Sequence, residues 1–305
     1  MKLIFGLTWV MFLGSQVWAQ DFKVLSSQGN NNFKGSKNRV WAGSSLKTSD
    51  VIEVGSNSYL GLMHIKTGKT IEIKKSGTYP MGSLVPKVGN SSLVAKYGNF
   101  VGEEMVKVEK QNINKNHRKY MAVTGAVTRE RTLGGSSKTI TLLSQDKETL
   151  FNPVLNLNWI TEDNGEKIKY YIIVSNLNSE QVAWYETEEN KISIDLSNLK
   201  RAKDNELDFV ITISNANNAN HKSVLNVSVL GKNEANQIQK EIGDFKPENP
   251  LDYLLLAKFF EDKKLNLDAL TCYQKALSLQ KSNDYEIAYK EFLVRNKMGY
   301  TYEGE

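Results

Sequence analysis

A single cysteine, Cys272, in 305 residues leaves no intramolecular disulfide to staple any part of the chain. The domains must be held by their hydrophobic cores. Cys272 falls among apolar residues of helical period, which reads as a small buried hydrophobe rather than a reactive thiol. Histidine is nearly as scarce. His64, His117 and His221 are the three present, far apart in the chain and in no metal-ligand spacing. HExxH, Gly-x-Ser-x-Gly and a paired-carboxylate constellation are also missing. Gly134-Gly135-Ser136-Ser137 reads as a turn, because no Gly-Lys-Ser/Thr follows with P-loop spacing. The expectation is a non-enzymatic protein with no catalytic, metal-binding or cofactor-binding residues and no cofactor. A hydrolase of envelope polymers, with a site assembled from distant loops, stays as an alternative.

Long apolar runs are lacking beyond the first twenty residues, so no membrane span is expected there. Met1 to Ala19 has the pattern of a secretory signal peptide. Lys2 gives the positive start, and Leu3 to Leu13 is an eleven-residue apolar run, too short to cross a bilayer. Val17 and Ala19 put small residues at the −3 and −1 positions, so Gln20 would begin the mature chain. No cysteine lies near the cleavage site, so no lipid anchor is expected. The reading is export to the periplasm or the outside of the cell. Formal net charge is +5 and becomes +4 when Lys2 is removed, with 38 basic against 34 acidic side chains. That mild charge is spread along the chain, which points away from a nucleic-acid partner.

What is present is mainly β pattern, then helix. The first domain is read over residues 20–143. Phe22 to Leu25 suits a first strand, and Gly29 to Lys37 is loop-like in composition. From Val40 to Tyr79 short β-prone runs are divided by turn residues. Leu60, Leu62 and His64 alternate with Gly61, Met63 and Ile65, a strand with one apolar face. Gly68 suits a tight hairpin, with Ile71 and Ile73 beyond it. Gly43, Leu46, Ser49-Asp50, Val51-Ile52, Gly55-Ser56-Asn57-Ser58, the Tyr59–Ile65 strand, Gly68 and Thr70 to Ile73 together resemble the FecR-type domain of bacterial envelope proteins. The resemblance implies an all-β periplasmic module linked to sensing or scaffolding, with no catalytic residue. That family's iron-signalling members also carry a cytoplasmic helix and a membrane anchor, and neither pattern is found here.

Residues 91–111 change period. Leu93, Tyr97, Phe100, Val101, Met105 and Val108 recur at three and four residues, an amphipathic helix covering the sheet. Lys115, His117, Arg118, Lys119, Arg129 and Arg131 form the densest basic segment. A solvated loop and strand explains it, and Lys115, Arg118, Lys119, Arg129 and Arg131 are the candidate contacts if the ligand is an anionic envelope polysaccharide.

Residues 149–230 carry six or seven short strands with turn-rich gaps, the signature of a β-sandwich. Leu155, Leu157 and Trp159 alternate. Tyr170 to Val174 reads as a central strand, apolar on both faces. Val182 to Tyr185, Ile192 to Leu196, Leu207 to Ile213 and Leu225 to Val229 follow, and Ile140 to Leu143 closes the domain before. The Leu-x-Leu-x-Trp and Tyr-x-Ile-x-Val strands resemble a fibronectin type III or related immunoglobulin-like sandwich, although Leu207 stands near the place of that family's corner tyrosine. Trp159 reads as core, while Trp184 and Tyr185 are candidate ligand platforms.

After a linker at 231–249, residues 250–305 are helical. Pro247 and Pro250 flank Asn249, a natural helix start. Counting Pro250 as one, Tyr253, Leu256, Ala257, Phe260, Ala269, Tyr273 and Ala276 fall at positions 4, 7, 8, 11, 20, 24 and 27. These seven residues resemble the tetratricopeptide repeat, with Lys281 where proline is usual. The resemblance implies a helix–turn–helix hairpin that holds a protein partner. Tyr285 to Asn296 would cover its exposed side. One repeat is below the ~3 needed for independent stability, so it must lean on the sandwich, the terminal helix or a partner. The whole reads as multidomain: a FecR-like β module, then a β-sandwich, then a tetratricopeptide-like helical end. The expected role is an exported interaction scaffold of a cell envelope, with envelope glycan or ligand binding as the alternative.

Overall fold

The computed structural model describes residues 21–86, 140–161, 167–199, 208–281 and 283–299, together with Leu93, Lys96, Tyr97, Gly98, Val101 and Glu103. Sheets occupy the N-terminal two thirds and helices follow from residue 232.

The first β unit holds β1 (Phe22–Gln28), β2 (Asn31–Phe33), β3 (Ser45–Leu46), β4 (Val51–Val54), β5 (Tyr59–His64), β6 (Lys69–Ile73) and β7 (Gly77–Pro80). They form two sheets, ordered β3-β1-β5-β6 and β2-β4-β7. Phe22, Val24, Ile52, Leu60, Leu62 and Met81 share its core. The β5–β6 hairpin turns at Gly68, whose φ of 64° would strain a side chain.

Two local expectations change. Alternation suggested one apolar face on β5, yet all six of its residues are buried. Leu60 and Leu62 belong to the unit's own core, while Tyr59 and Met63 belong to the core shared with the helices. Gly61 masks this second burial in the sequence. A Cβ there would lie 2.6 Å from Leu251 Cδ1, so the bare backbone is what lets the helical region approach. The Asn-rich stretch at 29–37 reads as loop, but Asn31–Phe33 pairs with β4. Asn31 is fully buried, and its Nδ2 bonds to Ser27 Oγ at 3.0 Å, Gln28 O at 3.0 Å and Tyr59 O at 2.9 Å. A side-chain amide ties down a segment whose composition suggests freedom. Farther on, the described residues Leu93, Tyr97 and Val101 are helical and buried, in the period read over 91–111.

The second β unit holds β8 (Ile140–Leu142), β9 (Lys147–Leu150), β10 (Val154–Thr161), β11 (Tyr170–Ser175), β12 (Gln181–Thr187), β13 (Lys191–Asp195), β14 (Asp208–Asn215) and β15 (Asn218–Val229). Its sheets are β13-β10-β8 and β12-β11-β14-β15-β9. Their inner faces meet in one core, where the Trp159 and Tyr170 rings are 5.2 Å apart, edge to face. Ile140–Leu142, read as the close of the first domain, hydrogen-bonds to β10 of this unit. β9 was not legible at all. It pairs parallel with β15, and the inward-facing Glu148 breaks its apolar alternation. β11 lies between β12 and β14 and carries apolar residues on both faces, yet its burial is uneven: Tyr170, Ile172 and Val174 point in, and Tyr171, Ile173 and Ser175 are partly exposed.

Four helices close the described chain: α1 (Lys232–Ile242), α2 (Pro250–Asp262), α3 (Asn266–Leu279) and α4 (Asn283–Arg295). Asn249 caps α2, accepting from the Asp252 N–H at 3.0 Å, with Pro250 in the first turn. Among the described residues no helix is long and apolar enough to cross a membrane.

The helices lean on both β units. Toward the first, Tyr59 and Tyr285 hydroxyls are 2.7 Å apart, Thr70 Oγ1 donates to Asp252 at 2.5 Å, and Gln28 Nε2 donates to Asp284 at 3.2 Å. Toward the second, Asp268 accepts the Phe151 and Asn152 N–H groups at 2.9 and 3.0 Å. The need for support follows from the sequence; the first β unit as one of the supports does not.

Candidate functional site: a groove between helix α3 and the β10–β13 strands

The site follows from the period of β10. Leu155, Leu157 and Trp159 point into the core, so Asn156 and Asn158 must point out. On β13, Ser193 lies opposite Asn156 and Lys191 opposite Asn158, both exposed. Helix α3 runs beside this outer surface. Asn156 Nδ2 donates to Thr271 Oγ1 at 3.3 Å, and Asn158 Nδ2 donates to Gln274 Oε1 at 3.4 Å.

Between helix and strands lies a cleft of about 680 Å³, lined also by Leu157, Ile192, Tyr253, Cys272, Lys275 and Ser278. That is within the ~300–1,000 Å³ of ligand clefts. Its polar groups are mostly neutral amides and hydroxyls, which offer donors and acceptors together. The charged members are Lys191, Lys275 and Glu189. Lys191 and Glu189 pair at 3.4 Å, but both are well exposed and the pair adds little. Cys272 is the nucleophile nearest to hand. Burial, with the Asp268 carboxylate adding to it, pushes its thiol up and away from thiolate. The cleft can hold a polar chain by hydrogen bonds and apolar contact. It has no base placed to activate a nucleophile among its lining residues.

Buried acids fix the groove's helical wall. Asp268 opens α3 and holds the β9–β10 turn through its two backbone bonds. Burial raises its carboxyl to about 6. Glu148, from β9, is 2% exposed and is raised to about 7, by burial first and by Asp268 in addition. At the same end of the hairpin, across the α2–α3 turn, buried Glu261 of α2 takes Arg295 Nε and Nη2 at 3.0 and 3.1 Å and Asn296 Nδ2 at 3.1 Å. Burial pushes that carboxyl up, and Arg295 and Lys258 outweigh it, leaving it below its ordinary value. Among the described residues no group of three or more His, Cys, Asp or Glu is placed to hold a metal.

The sequence-marked residues fall unevenly around this site. Of the seven repeat-like positions, Tyr253 lines the groove. Leu256 is partly buried, and Ala257, Phe260, Ala269, Tyr273 and Ala276 are buried packing residues. Val17, Ala19 and Gln20 lie outside the described residues, as do Lys115, Arg118, Lys119, Arg129 and Arg131. Trp184 is 49% exposed on β12, with the Tyr171 ring 5.5 Å away, whereas Tyr185 packs against the core. His64 is buried and bonds Thr67 Oγ1 at 2.8 Å. The groove residues Asn156, Asn158, Ser193 and Gln274 went unmarked. Their signal was the outward phase of a strand recognised for its inward one. No protein-family model and no curated protein sequence matches this chain.

Proposed function

We propose that this protein is a non-enzymatic, exported component of a cell envelope that acts as an interaction scaffold and seats a protein partner in the α3 groove. In this reading the first β unit is FecR-like, the second is a fibronectin type III or immunoglobulin-like sandwich, and α2–α3 is a tetratricopeptide-like hairpin. The observation that carries it is the groove itself: an open cleft where helix meets sheet, furnished with neutral hydrogen-bonding groups and no activated nucleophile. The test is affinity capture from envelope extract by the mature chain and by Ser278→Trp, which puts an indole into the cleft at an exposed helical position. A protein held by the native chain and lost from the variant supports the reading. Equal retention by both, or turnover of an envelope polymer, sinks it.

A second reading, glycan binding, is favoured by the exposed Trp184–Tyr171 pair, whose faces could stack on a sugar ring. Trp184→Ala should then abolish retardation in polysaccharide-containing gels. Unaltered migration of both proteins removes it.

A further inference from the structure

The phase of the β10–β13 ladder shows which groups of β13 are turned outward. Trp159 N–H donates to Asn190 O, and Leu196 N–H donates to Pro153 O, each at 3.0 Å. In an antiparallel ladder the directly bonded pairs recur at every second residue. With the register Leu157↔Ile192 and Leu155↔Ile194, those two isoleucines exchange bonds with β10. Lys191 and Ser193 therefore aim their N–H and C=O away from β10, at the far edge. β13 ends its sheet, and no strand among the described residues pairs on that side.

Lys191 and Ser193 also line the cleft with their side chains. One short stretch thus presents, among the described residues, an unpaired strand edge and one wall of a ligand-sized groove. An added strand would find backbone partners at Lys191 and Ser193, and its side chains on the α3 face would close the cleft's open side. β13 has five residues, about 17 Å of edge at ~3.4 Å per residue. Within the cleft Lys191 pairs with Glu189, so the charge that gives the occupant its sign is Lys275 on the helix, while Asp195 at the far end of the strand lies outside the cleft with its carboxylate held by Ser197 and Asn198.

We propose that the partner binds as an extended acidic peptide that adds as a strand to the free edge of β13. This rests on the scaffold reading above and goes further by naming the occupant and the contacts. The probe is a displayed library of random decapeptides selected on the mature chain, with the enriched peptide resynthesised carrying fluorescein. Asp and Glu should be enriched. Ser193→Ala keeps the backbone N–H and loses only the hydroxyl, so it is the reference against which the proline variant is read. Ser193→Pro removes the outward N–H, and the missing donor serves no bond to β10, so thermal unfolding should hold while affinity falls roughly tenfold or more. Lys275→Glu should weaken the acidic peptide and not a neutralised copy.

The outcomes separate the two ideas. Loss of binding in Ser278→Trp with Ser193→Pro unaffected overturns strand addition and leaves the groove reading standing. Indifference of both variants overturns both, whereas a selection that enriches no peptide overturns strand addition alone. A dimer of the native chain that Ser193→Pro converts to monomer overturns the proposal in favour of a second copy. If Ser193→Pro does not fold, N-methylation of alternate peptide residues takes its place. Binding that survives methylation in both phases refutes the added strand.

Discussion

Replacing Glu148 by Gln should stabilise the protein, and only at neutral to alkaline pH. Glu148 sits on the inward face of β9, 2% exposed, with Asp268 near enough to add its charge. Its carboxyl is held at about 7 against an ordinary value of 4.5. Below about pH 4.5 the folded and unfolded chains both carry the proton, and the group contributes nothing. Between 4.5 and 7 the unfolded chain releases the proton while the folded chain keeps it, so stability falls as pH rises. Above 7 the full cost is present. At ~1.4 kcal/mol per tenfold in proton affinity, the gap from 4.5 to about 7 comes to roughly 3 kcal/mol. Gln has no charge to bury, and its oxygen can still accept the Gln145 N–H now bound at 2.8 Å. Its amide N–H groups would face Asn266, which now bonds the carboxylate, and that loss offsets about 1 kcal/mol. The expected net gain is therefore about 2 kcal/mol at pH 8, disappearing or turning into a small loss at pH 5. Urea unfolding of both proteins at the two pH values measures it. A change of the same sign and size at both, or a destabilisation at pH 8, would refute the reasoning.

Glu261→Gln should weaken the α2–α4 clamp by removing the charge that Arg295 Nε and Nη2 now meet on α2, costing about 3 kcal/mol in urea unfolding at pH 7; a loss under 1 kcal/mol would deny the clamp its role. Gly61→Val should cost about 1–3 kcal/mol by forcing Leu251 away from β5, read as a lowered midpoint of thermal unfolding. Tyr59→Phe and Tyr285→Phe should couple, the pair together costing about 1 kcal/mol less than their separate losses, because either change breaks the same hydroxyl contact. Cys272 should react with iodoacetamide at the rate of local opening, slowly in the native protein and rapidly in urea; fast native labelling would contradict its burial.

Much of the secondary structure was legible because burial repeats with the backbone's own periods. Leu155, Leu157 and Trp159 mark a strand, and Ala257, Ala269 and Ala276 mark a close helix pair, in any tertiary context. Asn249 and Pro250 start α2 through their own local chemistry. The two unread strands share one physical cause. β9 carries the buried Glu148 and β2 the buried Asn31, and a polar residue with distant partners looks exposed in a sequence.

The candidate site was less legible still. The sequence determined that Asn156 and Asn158 leave the core, that Cys272 stays within a helix, and that a lone helical hairpin needs support. Only the tertiary structure brought α3 alongside the outward asparagines and left β13 at the end of its sheet. It also set the hairpin against both β units, through contacts such as Tyr59 with Tyr285. Period and capping act within a few residues and so are written locally. A groove and a free edge depend on which distant segments pack together and which pairing is left unmade, and no local pattern carries that.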